Sequence, residues 1–238
     1  MHIEGLKSKT ITCNDSIITV ILQSLHGKEL CNGDILVITS KVVSIAEGNI
    51  KKINNQEDFD EIVKSESDQI IGNEKVQLTL KNHIFTPWAG IDQSNVPENM
   101  VVLWPKDPYG TAKKIWLELK KDYKMSKFGV IISDSFCSPL RKGVTAVTLG
   151  YAGFEGVKSY VGKKDIYGKP MKFSSQNIAD MLATSAHLEM GEGSERKPFA
   201  LIKEAPVKFT NKRITQNSLT ICEEYCIYHP LYSAVLTK

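Results

Sequence analysis

The sequence lacks any apolar run long enough to cross a membrane. Its longest apolar runs, residues 17–22 and 35–38, are far shorter than the roughly 20 residues that a membrane helix requires. The first twelve residues also lack the apolar segment that is typical of a secretion signal. We therefore expect a cytoplasmic protein that does not contact a membrane.

The sequence also lacks an excess of one charge. Its 30 basic residues are scattered among 27 acidic ones, and the net charge is only +3. A nucleic-acid-binding surface usually needs a concentrated basic patch, so this class of partner is not expected. The five cysteines are odd in number and irregularly spaced, which favours reduced thiols over a disulfide framework.

Cys222, Cys226 and His229 have a spacing that could hold zinc, but a fourth ligand is missing. Small buried side chains with a structural role are the favoured interpretation of these residues.

Standard phosphate-binding loops are missing as well. Residues 156–164 resemble a Walker A loop, but the two glycines are one residue too far apart and Lys164 stands where Ser or Thr should coordinate a metal. Gly150, Gly153 and Gly156 do not fit the dinucleotide fingerprint either. A P-loop or Rossmann nucleotide site is therefore not expected.

The elements that are present alternate between strands and helices. Short apolar runs at 35–38, 128–132 and 199–202 predict buried strands. Helical periodicity is present at 54–67, after Asp107-Pro108, and from residue 174 or 175 until Gly191. This alternation predicts an α+β (mixed α/β) fold. We predict one main domain over residues 1–203 and a C-terminal extension, 204–238, packed on the same body.

Two aspartates stand where chemistry could occur. Asp92 lies in the polar segment 90–95, and Asp134 follows the predicted strand 128–132 directly. Carboxylates at strand ends and in loops can meet over a sheet edge, where they would suit a hard cation such as Mg²⁺. The alternative is that both aspartates only cap turns.

A glycine-rich segment follows the last predicted helix. Backbone amides of residues 191–194 could approach a phosphate, and Glu192 could reach a cation. The alternative is a plain helix C-cap at Gly191.

Taken in order, these segments resemble the coenzyme F420-0:gamma-glutamyl ligase family over residues 3–202. The resemblance is carried by landmarks spread along the chain, at residues 33–34, 37–44, 46–48, 89–95, 107–108, 133–143, 165–168, 179–180 and 190–191. It implies a homodimeric ligase. In the family reaction GTP phosphorylates a substrate carboxylate, and the amine of L-glutamate attacks the acyl phosphate to form an amide.

The resemblance also implies roles for individual residues. Asp92 and Asp134 would bind one of two divalent cations, Mg²⁺ or Mn²⁺, Ser135 would bind the second, and Glu192 is a further candidate ligand. Arg141, with Lys142, would meet phosphate or substrate charge and so complete the catalytic set with the two aspartates. The residues that would contact GTP are Leu6, Lys7, Ser40, Asn95, Gly191, Gly193 and Ser194.

Three departures from the family pattern surround these residues. Ile45 stands where the family commonly has a lysine that contacts the nucleotide, residues 137–140 replace a Gly-Arg-Pro-Trp pattern, and Val144 replaces a common glutamine. A related ligase with a different carboxylate substrate and a non-catalytic nucleotide-binding homologue are therefore alternatives.

Overall fold

The structure is a computed structural model, and it describes residues 1–72 and 76–233. Within these residues the chain forms twelve strands: β1 (His2–Leu6), β2 (Asp34–Thr39), β3 (Ile50–Lys52), β4 (Gln69–Ile70), β5 (Leu78–Lys81), β6 (Ile84–Pro87), β7 (Met100–Val102), β8 (Phe128–Cys137), β9 (Val144–Ala152), β10 (Val157–Ser159), β11 (Ser175–Asn177) and β12 (Phe199–Lys203). The helices of the same residues are α1 (Ile17–Ser24), α2 (Ser40–Ala46), α3 (Gln56–Glu66), α4 (Pro108–Asp122), α5 (Ile178–Met190) and α6 (His229–Tyr232).

A five-stranded sheet in the order β1-β12-β2-β8-β9 forms the centre of the molecule. Only β2 and β8 are parallel, and the other neighbours are antiparallel. This mixed sheet with flanking helices confirms the predicted α+β class and is not a Rossmann sheet. Smaller two- and three-stranded sheets, β3-β7, β4-β5-β6 and β10-β11, surround it.

The central strands are buried on both faces, which explains their continuous apolar runs. Leu36 and Ile38 of β2 belong to one apolar cluster, with side chains from α1, α2 and α4. Ile35 and Val37 belong to a second cluster, with side chains from α5. Successive residues of β2 therefore pack into helical layers on opposite sides of the sheet.

Several predicted boundaries change in the structure. Strand β8 continues to Cys137 because its antiparallel pairing with β9 runs on to Val144, so Asp134 lies within the strand and not after it. The segment 54–67 forms the helix α3, capped by the side chain of Asn55. Residues 175–177 form β11, and α5 begins only at Ile178.

The segment after β12 packs over the α5 side of the sheet. Val207, Phe209 and Leu219 contact the apolar cluster that contains α5, and Phe209 forms an isolated β-bridge with Phe154. The boundary at residue 203 stays a prediction, and residues 234–238 of the predicted extension lie outside the described residues. None of the helices in the described parts of the chain is both long and apolar enough to span a membrane.

Candidate active site

A cavity of about 430 Å³ lies beyond the carboxyl ends of the parallel strands β2 and β8. Its walls are residues 8–11, the start of α2, the loop 92–95 and the segment 190–198 after α5. In open α/β sheets, ligands bind in the crevice at the carboxyl ends of the strands. The position of the cavity therefore suits a small-molecule site.

Asp92 reaches the cavity from a bent segment. Ala89 and Gly90 have positive φ angles of 55° and 70°, and Asp92 then pairs through its backbone with Val102. Its Oδ1 accepts a hydrogen bond of 2.6 Å from the backbone N–H of Ser94, and its Oδ2 lies 2.6 Å from Nζ of Lys41. Burial would raise the pKa of Asp92, but the bonds from Lys41 and Ser94 outweigh burial and lower it.

Asp134 enters the same cavity from β8. Its Oδ2 accepts a hydrogen bond from the indole Nε1 of Trp104, and the Ser40 hydroxyl is a second partner. Desolvation of the carboxylate nevertheless raises its pKa to about 6, and the negative charge of Asp92 acts in the same direction. The two aspartates are therefore close enough to interact electrostatically.

Trp104 connects the two aspartate-bearing segments. Its backbone oxygen accepts a hydrogen bond of 2.5 Å from Nδ2 of Asn49, and its ring packs directly over Gly90. A Cβ at Gly90 would lie 2.1 Å from Cε2 of Trp104, so only glycine leaves room for the indole. The same indole thus contacts the segment before Asp92 and bonds to Asp134.

The segment after α5 closes another side of the cavity. Gly191, with a φ of 76°, ends the helix and also lines the cavity. The C-cap interpretation and the site interpretation of this residue are therefore both correct. The backbone N–H of Gly193 donates to Oε2 of Glu195 at 2.8 Å, and Oε1 of Glu192 lies 2.8 Å from Nδ1 of His187. The carboxylate of Glu195 therefore accepts the hydrogen bond of a backbone N–H that could otherwise bind a phosphate oxygen.

Most of the predicted site residues meet at this cavity. Those that line it are Asp92, Asn95, Asp134, Gly191, Glu192, Gly193 and Ser194. Asn95 also donates from Nδ2 to the backbone oxygen of Gly193 at 3.2 Å, although the two are far apart in sequence. Ser40 is buried behind the wall and bonds to Asp134.

Four predicted residues lie elsewhere. Leu6 is buried in the apolar core, and Lys7 is exposed outside the cavity wall, whose N-terminal part is residues 8–11. Ser135 is the next residue along β8 after Asp134, so strand alternation turns its side chain to the opposite face. Arg141 lies in the exposed turn between β8 and β9 and does not line the cavity.

Sequence reasoning missed four side chains at the site, namely Lys41, Trp104, His187 and Glu195. Lys41 had a usable signal, because it occupies the first turn of a helix that directly follows the buried strand β2. The other three owe their roles to contacts between distant segments or to loop geometry, for which one sequence gives no pattern.

The C-terminal cysteines do not form a metal site. Among the described residues, no group of three or more His, Cys, Asp or Glu side chains is arranged to hold a metal ion. Cys222 is exposed and Cys226 partly exposed, so their interpretation as buried structural side chains is wrong. All five cysteines are free thiols, as the spacing predicts.

The donor set at the cavity fits a hard cation. Asp92 and Asp134 offer carboxylate oxygens toward one space, and the charge of Asp92 raises the pKa of Asp134, a repulsion that a bound cation would relieve. Mg²⁺ commonly takes one or two carboxylates and completes its shell with water and phosphate oxygens. Two carboxylates without a third protein ligand suit this pattern.

Comparisons with known proteins show the family to which the chain is related. The model of the family described as F420-0:Gamma-glutamyl ligase matches residues 5–204. A coenzyme F420:L-glutamate ligase of Methanothermobacter thermautotrophicus is 31% identical over 224 residues, which cover 86% of this chain and 88% of the relative. Ligases of the same name from Methanococcus maripaludis (31% identical, covering 89% of this chain and 91% of the relative) and Methanocaldococcus jannaschii (34%, covering 76% and 79%) are similarly related.

Proposed function

This chain belongs to the F420-0:gamma-glutamyl ligase family, and we propose that it uses GTP to join L-glutamate to the carboxylate of coenzyme F420-0. The observation that supports this most directly is that Asp92 and Asp134, which are far apart in sequence, face one cavity beside residues 191–194. Paired carboxylates next to a glycine-rich segment suit the phosphate tail of a nucleotide.

The proposed reaction has two steps. An oxygen of the acceptor carboxylate attacks the γ-phosphorus of GTP, and the bond to GDP breaks to leave an acyl phosphate. The amine of L-glutamate then attacks the acyl carbon, loses a proton and expels inorganic phosphate to form the amide. Neither step requires a covalent bond to the protein, so the side chains act by binding and orientation.

We propose different roles for the residues of the cavity. Lys41 and the amide of Gly193 would bind phosphate oxygens, whereas the amide of Gly191 donates to the backbone oxygen of His187 and so would only position the loop. Ser40 and Trp104 hold the carboxylate of Asp134 in place. Mg²⁺ or Mn²⁺, two per site, would be held by Asp92 and Asp134, with Glu192 as a further candidate. Ser135, which the resemblance offers for the second cation, faces away from the cavity and is not included. Bound there, the cations would neutralise negative charge on the phosphoryl oxygens.

Two of the other predicted nucleotide contacts, Asn95 and Ser194, line the cavity and can touch the nucleotide directly. Leu6 and Lys7 do not line it, so their role would be to position the adjoining residues 8–11, which do. Arg141 could act only on a substrate that reaches the exposed β8–β9 turn.

We also propose that the protein forms a homodimer and that it is located in the cytoplasm, where GTP and glutamate are abundant. Support for the dimer comes from the β10–β11 arm, defined as residues 157–177. It presents apolar side chains to solvent, among them Ile166, which is 91% exposed, and Phe173, which is 90% exposed. Large apolar side chains clustered on one projecting element are typical of a surface that a partner covers.

The direct test is a ligation assay. The purified protein is incubated with GTP, Mn²⁺, L-glutamate and coenzyme F420-0, and the products are identified by mass spectrometry. We expect F420-0 to gain one or more glutamyl residues, with one GDP formed for each, only when the cation is present. Product from a metabolite extract but not from F420-0 would indicate a ligase for another carboxylate. Nucleotide binding without any turnover would indicate a non-catalytic homologue.

A further inference from the structure

A second cavity, of about 400 Å³, lies beside the first. It is bounded by the β5–β6 hairpin, the first residues of α4 and α5, the middle of β9, and the C-terminal segment 216–232. Its volume falls in the usual range for a small-molecule site. Cys226 and the landmark residues Asp107, Pro108 and Asp180 lie on its wall, but none of the residues predicted to bind metal, nucleotide or substrate does.

Strand β8 contributes a residue to each cavity. Asp134 lines the first cavity, and Phe136 lines the second. Residues two apart on a strand face the same side, about 7 Å from each other. Val147, the register partner of Asp134 on β9, also lines the second cavity. A molecule in the second cavity would therefore need to extend by only one strand repeat to reach Asp134.

The lining of the second cavity indicates the chemistry of its ligand. Phe85, Tyr109, Phe136, Tyr228 and Tyr232 supply five aromatic rings, and Lys106 places a cation at the exposed rim. Aromatic rings on several sides of a cavity favour a flat ring system, since rings gain additional attraction from offset or edge-on contact.

Three acidic residues line the second cavity; Glu223 is exposed, and the carboxylates of the other two are already hydrogen-bonded. Asp107 accepts from the backbone N–H of Gly110 at 2.8 Å, while Asp180 accepts from the N–H of Thr148 at 2.8 Å and from the side chain of Asn177 at 2.6 Å. Lys106 has no such partner among the hydrogen bonds and ion pairs of the described residues. The ammonium group is therefore available to a carboxylate of the ligand.

The C-terminal segment is a fixed wall. Gln216 donates from Nε2 to the backbone oxygen of Asn82 at 2.8 Å, which joins the segment to the β5–β6 hairpin. The Tyr232 hydroxyl donates to the backbone oxygen of Glu223 at 3.2 Å, and its ring packs on Phe85 with 5.0 Å between centroids. These contacts give the aromatic wall a defined position before any ligand binds.

We propose that this second cavity holds the ring-bearing part of the carboxylate acceptor, and that residues 216–232 determine which acceptor is used. The acceptor lies with its rings against the aromatic wall and its carboxylate directed past Lys106 and Phe136 toward Asp134. This inference rests on the proposed ligase function. The wall lies beyond residue 204, where the match to the family model ends.

The test compares two variants of the wall with one matched control. Tyr228→Ala removes an aromatic ring from the cavity, and Thr220→Trp fills part of it. Tyr225→Ala is the control, because Tyr225 belongs to the same segment but is 82% exposed and does not line the cavity. Melting temperatures identify any variant that fails to fold.

We expect Tyr228→Ala and Thr220→Trp each to raise the KM for F420-0 by roughly tenfold. The KM for GTP should stay within twofold of the wild type, and Tyr225→Ala should change neither constant. Binding of F420-0 alone, measured by equilibrium dialysis without GTP or metal, should weaken in parallel.

If the wild type ligates F420-0 but both wall variants keep its KM, the cavity assignment is overturned and the ligase function stands. If the wild type neither ligates nor binds F420-0, both proposals fail.

Discussion

Nζ of Lys41 lies 2.6 Å from Oδ2 of Asp92, inside the cavity where a divalent cation is proposed to bind. The same ammonium donates to the Ser94 hydroxyl at 2.8 Å and to the Ser94 backbone oxygen at 3.1 Å. Lys41 therefore neutralises the carboxylate that a metal would use. Binding of a cation to Asp92 would displace Lys41, which would then be free to meet a phosphate.

Replacement of Lys41 by methionine tests this competition. Loss of the ammonium should tighten Mn²⁺ binding about fivefold, since a partly exposed ion pair is worth about 1 kcal/mol. GTP binding in the presence of Mn²⁺ should weaken, because a phosphate contact is lost. Calorimetric titrations with Mn²⁺ and with GTP measure the two effects separately. Lys9→Met is the matched control, because Lys9 lines the same cavity but pairs with Asp15. Equal changes in both variants would show that only the overall charge of the cavity matters.

Asp134→Asn is expected to abolish GDP formation while it stabilises the fold at neutral pH. Burial raises the pKa of Asp134 from 3.8 to about 6, so the folded state opposes ionisation of this carboxylate. The resulting destabilisation is absent below about pH 4, grows as the pH rises to about 6, and is complete above that value.

At pH 8 the variant should therefore gain up to about 3 kcal/mol in free energy of unfolding, and the gain should disappear near pH 3.5. Urea unfolding of both proteins at the two pH values measures it. A variant less stable than the wild type at pH 8 would show that the ionised carboxylate of Asp134 does not destabilise the folded protein.

Glu195→Ala should tighten the binding of GTP. The carboxylate of Glu195 accepts the N–H of Gly193 at 2.8 Å, so a phosphate oxygen has to displace it. Its removal should increase GTP affinity roughly fivefold, equivalent to about 1 kcal/mol for one charge-assisted hydrogen bond. Glu189→Ala provides the control, since Glu189 lies near the same helix end with only a 3.9 Å ion pair to Lys197. Weaker GTP binding in Glu195→Ala would indicate that Glu195 shapes the loop for the nucleotide.

The exposed apolar residues of the β10–β11 arm allow a test of the proposed dimer. Phe173→Asp places a charge on the exposed apolar surface of the β10–β11 arm and should convert a dimer into monomers, as measured by light scattering after gel filtration. Leu188→Asp is a control on another element, because Leu188 is 86% exposed on α5. A wild type that is monomeric at micromolar concentration would contradict the proposed dimer.

The sequence predicted those parts of the molecule that depend on local pattern. The strands at 35–38 and 128–132 were readable because burial on both faces leaves continuous apolar runs. Asp92 and Asp134 were identified because an aspartate in a turn or near the end of an apolar strand is conspicuous. Their placement at one cavity followed from the resemblance to a family, whereas spacing alone left turn capping as an alternative.

The remainder depends on contacts between distant segments. The hydrogen bond from Trp104 to Asp134 joins residues that are 30 positions apart. The bond from Gln216 to Asn82, which fixes the wall of the second cavity, joins residues that are 134 positions apart. Such contacts carry no local periodicity. The strand β8 was predicted too short because Ser133 and Asp134 are polar, although pairing with β9 continues past them. Tertiary pairing thus outweighed the local pattern.

Gly90→Ala tests whether the packing of Trp104 supports the site. A methyl group there would meet Cε2 of Trp104 at 2.1 Å, and the residue would also keep a φ of 70°. Gly48→Ala separates these effects, because Gly48 has a φ of 69° but nothing within 4 Å of a new Cβ. Both variants should lose about 1 kcal/mol to backbone strain.

Gly90→Ala should lose about 1 to 3 kcal/mol more, because the indole has to move. Movement of the indole would break its hydrogen bond to Asp134, so Gly90→Ala should also bind Mn²⁺ more weakly, whereas Gly48→Ala should bind it as the wild type does. Urea unfolding and Mn²⁺ titration measure the two quantities. Equal stability losses in the two variants would mean that the indole moves freely. Unchanged Mn²⁺ affinity in Gly90→Ala would mean that Asp134 does not depend on Trp104.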